Sequence, residues 1–332
     1  MIWLTLRQFR IQSLIGAAAI AATAIYLAVL GTTIRTVYDR NVTDCTSACD
    51  EGAARQLIAD QFGLTLMLLG GFLIAVPALI GAFWGAPMIT RELETGTHRL
   101  VWNQSVTRRR WLTIKLAVGG GASVITVGAL SLMLTWAAHP YDTFVDDRFT
   151  PLTFAARNLA PLGYAALAFV VGLTVGLLTR RTLAAMAITL VALIAFQVLM
   201  ANMVRPNMFE PETDTVTVAE AREAGRIDML GFGPDGGTVQ GYTVPGAWVL
   251  TDAAEVVDGE GNTISHEQLS ACESDGTTMP DECLTSMGAQ FTIEYQPGDR
   301  YWTFQWIELG LALALTAILI GVAFWKIPRG LN

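Results

Sequence analysis

Six stretches of this chain are too apolar and too long to be anything but membrane spans or a very unusual core. They cover residues 11–30, 62–84, 112–138, 159–179, 183–203 and 309–325. The first five are long enough, as helices rising 1.5 Å per residue, to cross about 30 Å of hydrocarbon, and the sixth is at the short end of the range for a span. In lipid a backbone has no water to bond, so such stretches must be helices that satisfy their own amides. Only 15% of the residues are charged, against about a quarter in soluble domains. The first run is longer than the apolar core of a secretory signal and has no clear small-residue cleavage site after it, so it reads as an uncleaved span.

Charge gives the orientation. With the N-terminus placed inside, the inner segments carry twelve of the 21 bases and two of the 29 acids, a balance of +10. The outer segments then carry −18. The positive-inside rule predicts both termini inside and 204–304 outside. The acidic overall balance therefore belongs to the outer segments and implies no nucleic-acid partner.

Between the fifth and sixth runs, residues 204–304 lose all apolar runs and gain Asp, Glu, Gly and Thr. Residues 291–295 alternate like a strand, 247–250 read as another, and 218–225 as a short helix. The expected fold is an all-α polytopic membrane protein of six helices carrying a small α+β domain. The expected division is 1–203, 204–304 and 305–332. Tyr301, Trp302, Phe304 and Trp306 mark a membrane interface. Residues 1–10, with Trp3, Leu6 and Phe9 beside Arg7 and Arg10, read as an amphipathic helix in the headgroup layer. Pro77 predicts a kink in the second span, and His139-Pro140 is expected to end the third. Gly119-Gly120-Gly121 reads as close helix packing.

All four cysteines fall on the outer side, where disulfides form. Cys45–Cys49 and Cys272–Cys283 are the expected pairs, although four cysteines allow three connectivities. A metal site is disfavoured, since the chain has three histidines and only His266 lies in the large outer segment. Neither of the two lysines, Lys115 and Lys326, follows a glycine, so no phosphate-cradling GxxxxGK[ST] loop exists. No GxSxG or HExxH motif occurs. The span centres carry almost no charge, unlike most proton-coupled carriers. Glu308, Arg157 and Arg205 sit at span ends and read as interfacial pairs.

The densest basic cluster lies between the second and third runs, in 87–115. Ile89, Leu93 and Leu100 recur at helical spacing, with Arg91, Glu92, Glu94 and His98 on other faces. A solvated basic loop is the plainer reading of that pattern. Glu92, Gly96-Thr97 and Arg108-Arg109-Arg110, followed by Trp111 and Lys115, resemble the loop between spans two and three in permease subunits of ABC-2 type ABC transporters. That family often has proline where Ser105 stands. Residues 295–308 look like the ending of a bacterial subgroup with a large outer domain before the last span.

The resemblance implies a multi-pass protein of the bacterial plasma membrane with both termini cytoplasmic. It implies a permease dimer, homomeric or heteromeric, docked on a separate ATPase subunit that binds ATP and Mg; this chain would hold no cofactor and catalyse no reaction itself. Docking would use the amphipathic N-terminus and a cytoplasmic coupling helix, 87–104, through Arg91, Glu92, Thr95, Gly96, Thr97 and Arg99, with Gly96 midway along it. Spans two and five would line the cavity, with Phe72, Phe196, Met200 and Met203 as candidate wall residues. Phe196, Met200 and Met203 share an ideal helical face, and such an adaptable apolar wall suits a drug, antibiotic or lipid-like cargo; helix packing or lipid contact is the plainer reading of that stripe. The readings in play are an ATP-driven exporter, a ligand sensor coupled to an ATPase without transport, and a structural membrane protein.

Overall fold

The computed structural model describes residues 10–44, 51–97, 107–145, 148–233, 236–264, 268 and 284–329. The N-terminal segment 1–9, all four cysteines, His98, Arg99, Leu100 and Ser105 lie outside these, as do the two expected disulfides. The chain forms two compact units, one of residues up to Arg205 together with 302 onward, the other Pro206–Tyr301.

Among the described residues six helices are long and apolar enough to cross a membrane: Gly16–Thr43, Gly52–Glu94, Arg108–Phe144, Ala160–Thr179, Thr182–Val204 and Gly298–Ile327, here spans one to six. Span four is the hub. Its apolar window is 72% buried within the chain, while no other span exceeds 44%. Small residues explain this. Span two carries Gly81 and Gly85, and span four carries Ala168, Gly172 and Gly176, each at four-residue spacing. A Cβ on Gly81 would strike the Ala168 carbonyl, and one on Gly172 the Gly81 carbonyl. At Gly85 it would lie 2.6 Å from the Phe169 carbonyl oxygen, and at Gly176 2.9 Å from Thr90 Cγ2. Without side chains the two backbones meet directly, the packing that membrane helices use in place of hydrophobic burial. Of the triple glycine, only Gly119 packs tightly, against the Phe169 ring; Gly121 has open space.

One expectation about span ends needs correction. Span three does not stop at His139-Pro140 but runs helically to Phe144. Proline deprives the carbonyl four residues earlier of its donor. That carbonyl, of Trp136, instead accepts from Arg35 Nη2 of span one at 2.6 Å, while the guanidinium lies 4.1 Å from the Trp136 ring centroid. Near Pro77, which lies inside the continuous helix of span two, Gln197 Nε2 of span five donates to the Ile74 carbonyl at 3.0 Å. The charges at the span ends do form pairs, and they do so inside the protein. Arg157 bonds Asp142 and the Leu134 carbonyl, and Arg205 bonds Glu308 with both side chains fully buried.

Tyr164 donates to the same Glu308 carboxylate, and Arg205 lies 4.0 Å from the Phe154 ring centroid. Beside it, Gln305 Oε1 accepts from the amides of Leu159 and Ala160. Trp302 and Trp306 are exposed near the start of the last helix, Tyr301–Arg329, and Trp325 near its end, whereas Phe304 is buried. Trp306 and Trp325 are separated by about 28 Å of helix, close to the hydrocarbon thickness.

The described residues of the second unit include an antiparallel sheet of six strands: β1 Glu212–Thr217, β2 Met229–Gly233, β3 Gly236–Gln240, β4 Trp248–Val249, β5 Ala253–Val257 and β6 Gln290–Gln296. Their order is β1-β6-β5-β3-β2, with β4 on β6. Phe291 and Ile293 of β6 face a core with Val239, Val256 and Ile264. A short helix, Val218–Glu223, is capped by Thr217, whose hydroxyl accepts from the Glu220 amide. At the turn after β5, Asp258 accepts from the amides of Glu260 and Asn262. Those bonds hold its carboxyl below the usual carboxylate range.

We expect Gly172→Leu to cost about 3 kcal/mol or more, because the obstructing atoms are backbone. Gly71→Ala, where nothing lies within 4 Å, should be neutral or stabilising by about 0.5–1 kcal/mol. Thermal unfolding of the purified protein in detergent distinguishes the two.

Candidate functional site

The stretch between spans two and three is organised differently from a free-standing amphipathic helix. Span two continues through a π-helical turn, Gly81–Gly85, directly into Ala86–Glu94. The π turn sits where Pro87 removes an amide donor. The helix stops at Glu94 and does not reach 104. Gly96 has φ +71°, and its amide donates to the Leu93 carbonyl at 3.4 Å. Gly96 thus ends a helix in the left-handed conformation and does not lie midway along one. A Cβ there would meet nothing within 4 Å, so close backbone approach is not its purpose. Thr95 Oγ1 donates to the Arg91 carbonyl at 2.7 Å and lies 3.0 Å from Thr97 Oγ1, which tightens the tip.

Two carboxylates of the last helical turn are engaged within the chain. Glu92 Oε1 accepts from Lys115 Nζ at 2.7 Å, and Oε2 from Trp111 Nε1 at 3.1 Å. Lys115 Nζ also donates to the Met88 carbonyl at 2.6 Å and sits 4.9 Å from the Trp111 ring centroid. Glu92 therefore anchors the start of span three, and it is not the open charge that its place in the sequence implied. Glu94 reaches span five: Oε1 accepts from the Thr182 amide at 2.7 Å and Oε2 from the Thr182 hydroxyl at 2.8 Å. The buried Thr90 hydroxyl lies 2.8 Å from that of Thr182 and donates to the Ala86 carbonyl. What remains exposed at the tip is Arg91, Glu94, Thr95 and Thr97, with Glu94 held in place by its two bonds to Thr182.

The candidate cavity residues do not share a face. Met200 is 3% exposed, Phe196 is half-buried edge-on against Tyr164 at 5.9 Å, and Met203 is 61% exposed. The physical cause is a π turn, Met200–Val204, closing span five. Its extra residue per turn moves Met203 off the ideal helical face and leaves Arg205 turned inward. Phe72, 49% exposed, stays on an open side of span two. No group of three or more His, Cys, Asp or Glu able to hold a metal occurs among the described residues.

Residues 17–205 match the family described as ABC-2 membrane transporter related. The chain belongs to that family. No curated protein and no solved structure matches it. The match covers the first five spans and includes the whole of the Glu92 and Glu94 arrangement. This ABC-2 chain is accordingly a multi-pass membrane protein and the membrane component of an ABC transporter, a permease type that normally works with an ATPase subunit.

Sequence reasoning missed Glu94, Thr90 and Thr182, which carry no motif of their own. The four-residue spacing of Gly81/Gly85 and Gly172/Gly176 was the available signal for the crossing that brings them together.

Reversing Glu92 to Arg places a cation against the nearly buried Lys115, so this variant should unfold rather than merely release a partner. The expected loss is about 3–5 kcal/mol, as for a broken buried pair. Arg91→Glu, on the exposed side of the same turn, should leave the thermal midpoint unchanged. The exchange Glu92→Lys with Lys115→Glu should recover part of the loss, read by the same melting measurement.

Proposed function

We propose that this chain is the permease of an ATP-driven exporter in a bacterial plasma membrane. Both termini and the 91–97 tip lie on the cytoplasmic face, and Pro206–Tyr301 lies outside. ATP and Mg act on a separate nucleotide-binding subunit, and a second permease copy, identical or related, completes the pathway.

The observation that carries this reading is the tip itself. An exposed Arg91, Thr95 and Thr97 stand on a short helical end that two adjacent carboxylates fasten to spans three and five. A motor subunit needs such a contact: a surface that it can grip, tied rigidly to the helices that must move. The surrounding charge agrees, since Arg108, Arg109, Arg110, Arg180 and Arg181 gather on the segments assigned to the inner face. The chain's lack of a Gly-Lys phosphate loop is consistent with hydrolysis elsewhere.

Cargo follows from the outward faces of spans two and five. Phe72, Leu79 and Phe83 on one, and Val191, Ile194, Val198 and Met203 on the other, are exposed in the single chain. A cavity walled by them between two copies takes an amphipathic or hydrophobic compound. Phe196 and Met200 serve packing instead. Sensing without transport is the second reading, favoured by the size of the Pro206–Tyr301 unit.

Co-purification of a nucleotide-binding subunit with the tagged chain tests the proposal, paired with ATP-dependent efflux of a hydrophobic dye. Arg91→Glu should weaken co-purification by about tenfold, the effect of losing one charged contact. A parent chain that captures no ATPase overturns the reading; capture without efflux favours the sensor. Topology is tested separately. A cysteine replacing the exposed Thr213 should react with an impermeant thiol reagent on intact cells.

A further inference from the structure

Span five begins without a cap of its own. The turn from span four takes two residues: Arg180 in a left-handed conformation with φ +54° and Arg181 extended. Arg181, in the capping position, makes no side-chain bond to the helix. The first amides of a helix lack intrahelical acceptors and present partial positive charge, so an unsatisfied start is costly beside a membrane. The missing acceptor comes from 88 residues away, in the Glu94 carboxylate, which takes both the Thr182 amide and the Thr182 hydroxyl. Thr90, one turn earlier, meets the same threonine.

Two neighbouring carboxylates on one turn thus serve two different spans. Glu92 holds span three through Lys115 and Trp111, and Glu94 holds span five through its helix start. We infer that Glu94 is the positioning residue through which displacement of the 91–97 tip is delivered to span five. A bond to the end of a helix acts along its axis, so the tip can push or pull the whole span without bending it. Glu92 cannot do this, because its partners lie on the side of span three. The inference rests on the permease reading above.

Hydrogen–deuterium exchange on the permease–ATPase complex in nanodiscs tests it, with ATP plus vanadate as the trapping probe. In the parent, trapping should alter exchange at both 91–97 and 182–186. In Glu94→Ala, resting exchange at 182–186 should rise about tenfold, as for loss of a charge-assisted bond. The decisive expectation is that trapping still alters 91–97 but no longer 182–186. A purely structural cap would raise resting exchange and leave the response to trapping intact, which overturns the inference. Thr182→Ser keeps both donors and should respond like the parent. If Glu94→Ala does not assemble, Glu94→Gln keeps the size and one acceptor, and its trapping response at 182–186 should fall by at least half; a full response overturns the inference equally. A parent in which trapping leaves 91–97 unchanged overturns the assignment of that tip to the ATPase, a different failure from a responsive tip with an independent span five.

Discussion

The direct backbone contact between spans two and four is what the membrane unit depends on. Three glycines, Gly81, Gly85 and Gly172, let the Ala168, Phe169 and Gly81 carbonyls lie where side chains would otherwise stand, and Gly176 leaves room for the Thr90 methyl. That approach fixes the height of span two against span four and, through the tight Arg180-Arg181 turn, against the start of span five. Thr90 and Glu94 reach Thr182 only because the crossing lies one to three turns away. A single added methylene at Gly172 would therefore disturb a polar contact that it does not touch. Close-packed interiors transmit strain in this way, since no void absorbs it.

Some polar side chains of the bundle meet backbone groups that a proline or a helix start leaves without an intrahelical partner. Arg35 takes the carbonyl freed by Pro140, and Gln305 the first amides of span four. In water such groups would be solvated at little cost. In hydrocarbon each unmet amide costs several kcal/mol, so side chains from neighbouring helices must supply the partner. The breaks thereby become tertiary contacts, each tying together two spans that apolar packing alone would let slide.

The six spans were legible because lipid demands long apolar runs, and the strand at 290–296 because its burial alternates. The family was legible from Glu92, Gly96-Thr97 and the basic cluster. The use of those residues was not. Helical spacing from Ile89 to Leu100 favoured one long helix, whereas Gly96 imposed a left-handed stop after Glu94. Composition could have suggested this, since glycine after a charged helical turn is a common terminus. Nothing in the sequence gives Glu92 the partner Lys115, because the pairing depends on where two helix ends meet. Nor does periodicity reveal a π turn: the Phe196, Met200 and Met203 face presumes 3.6 residues per turn throughout.

The pair Arg205–Glu308 has one more consequence. Arg205 is the last residue matched to the family and the last before the sheet unit, and Glu308 follows soon after that unit ends. Their contact brings the chain back to where it left, so the intervening hundred residues form, for the bundle, a closed loop. Lengthening such a loop costs only the logarithm of its size. The buried arginine and glutamate thus act as a clasp: they hold the ends of spans five and six in register whatever the length of chain strung between them.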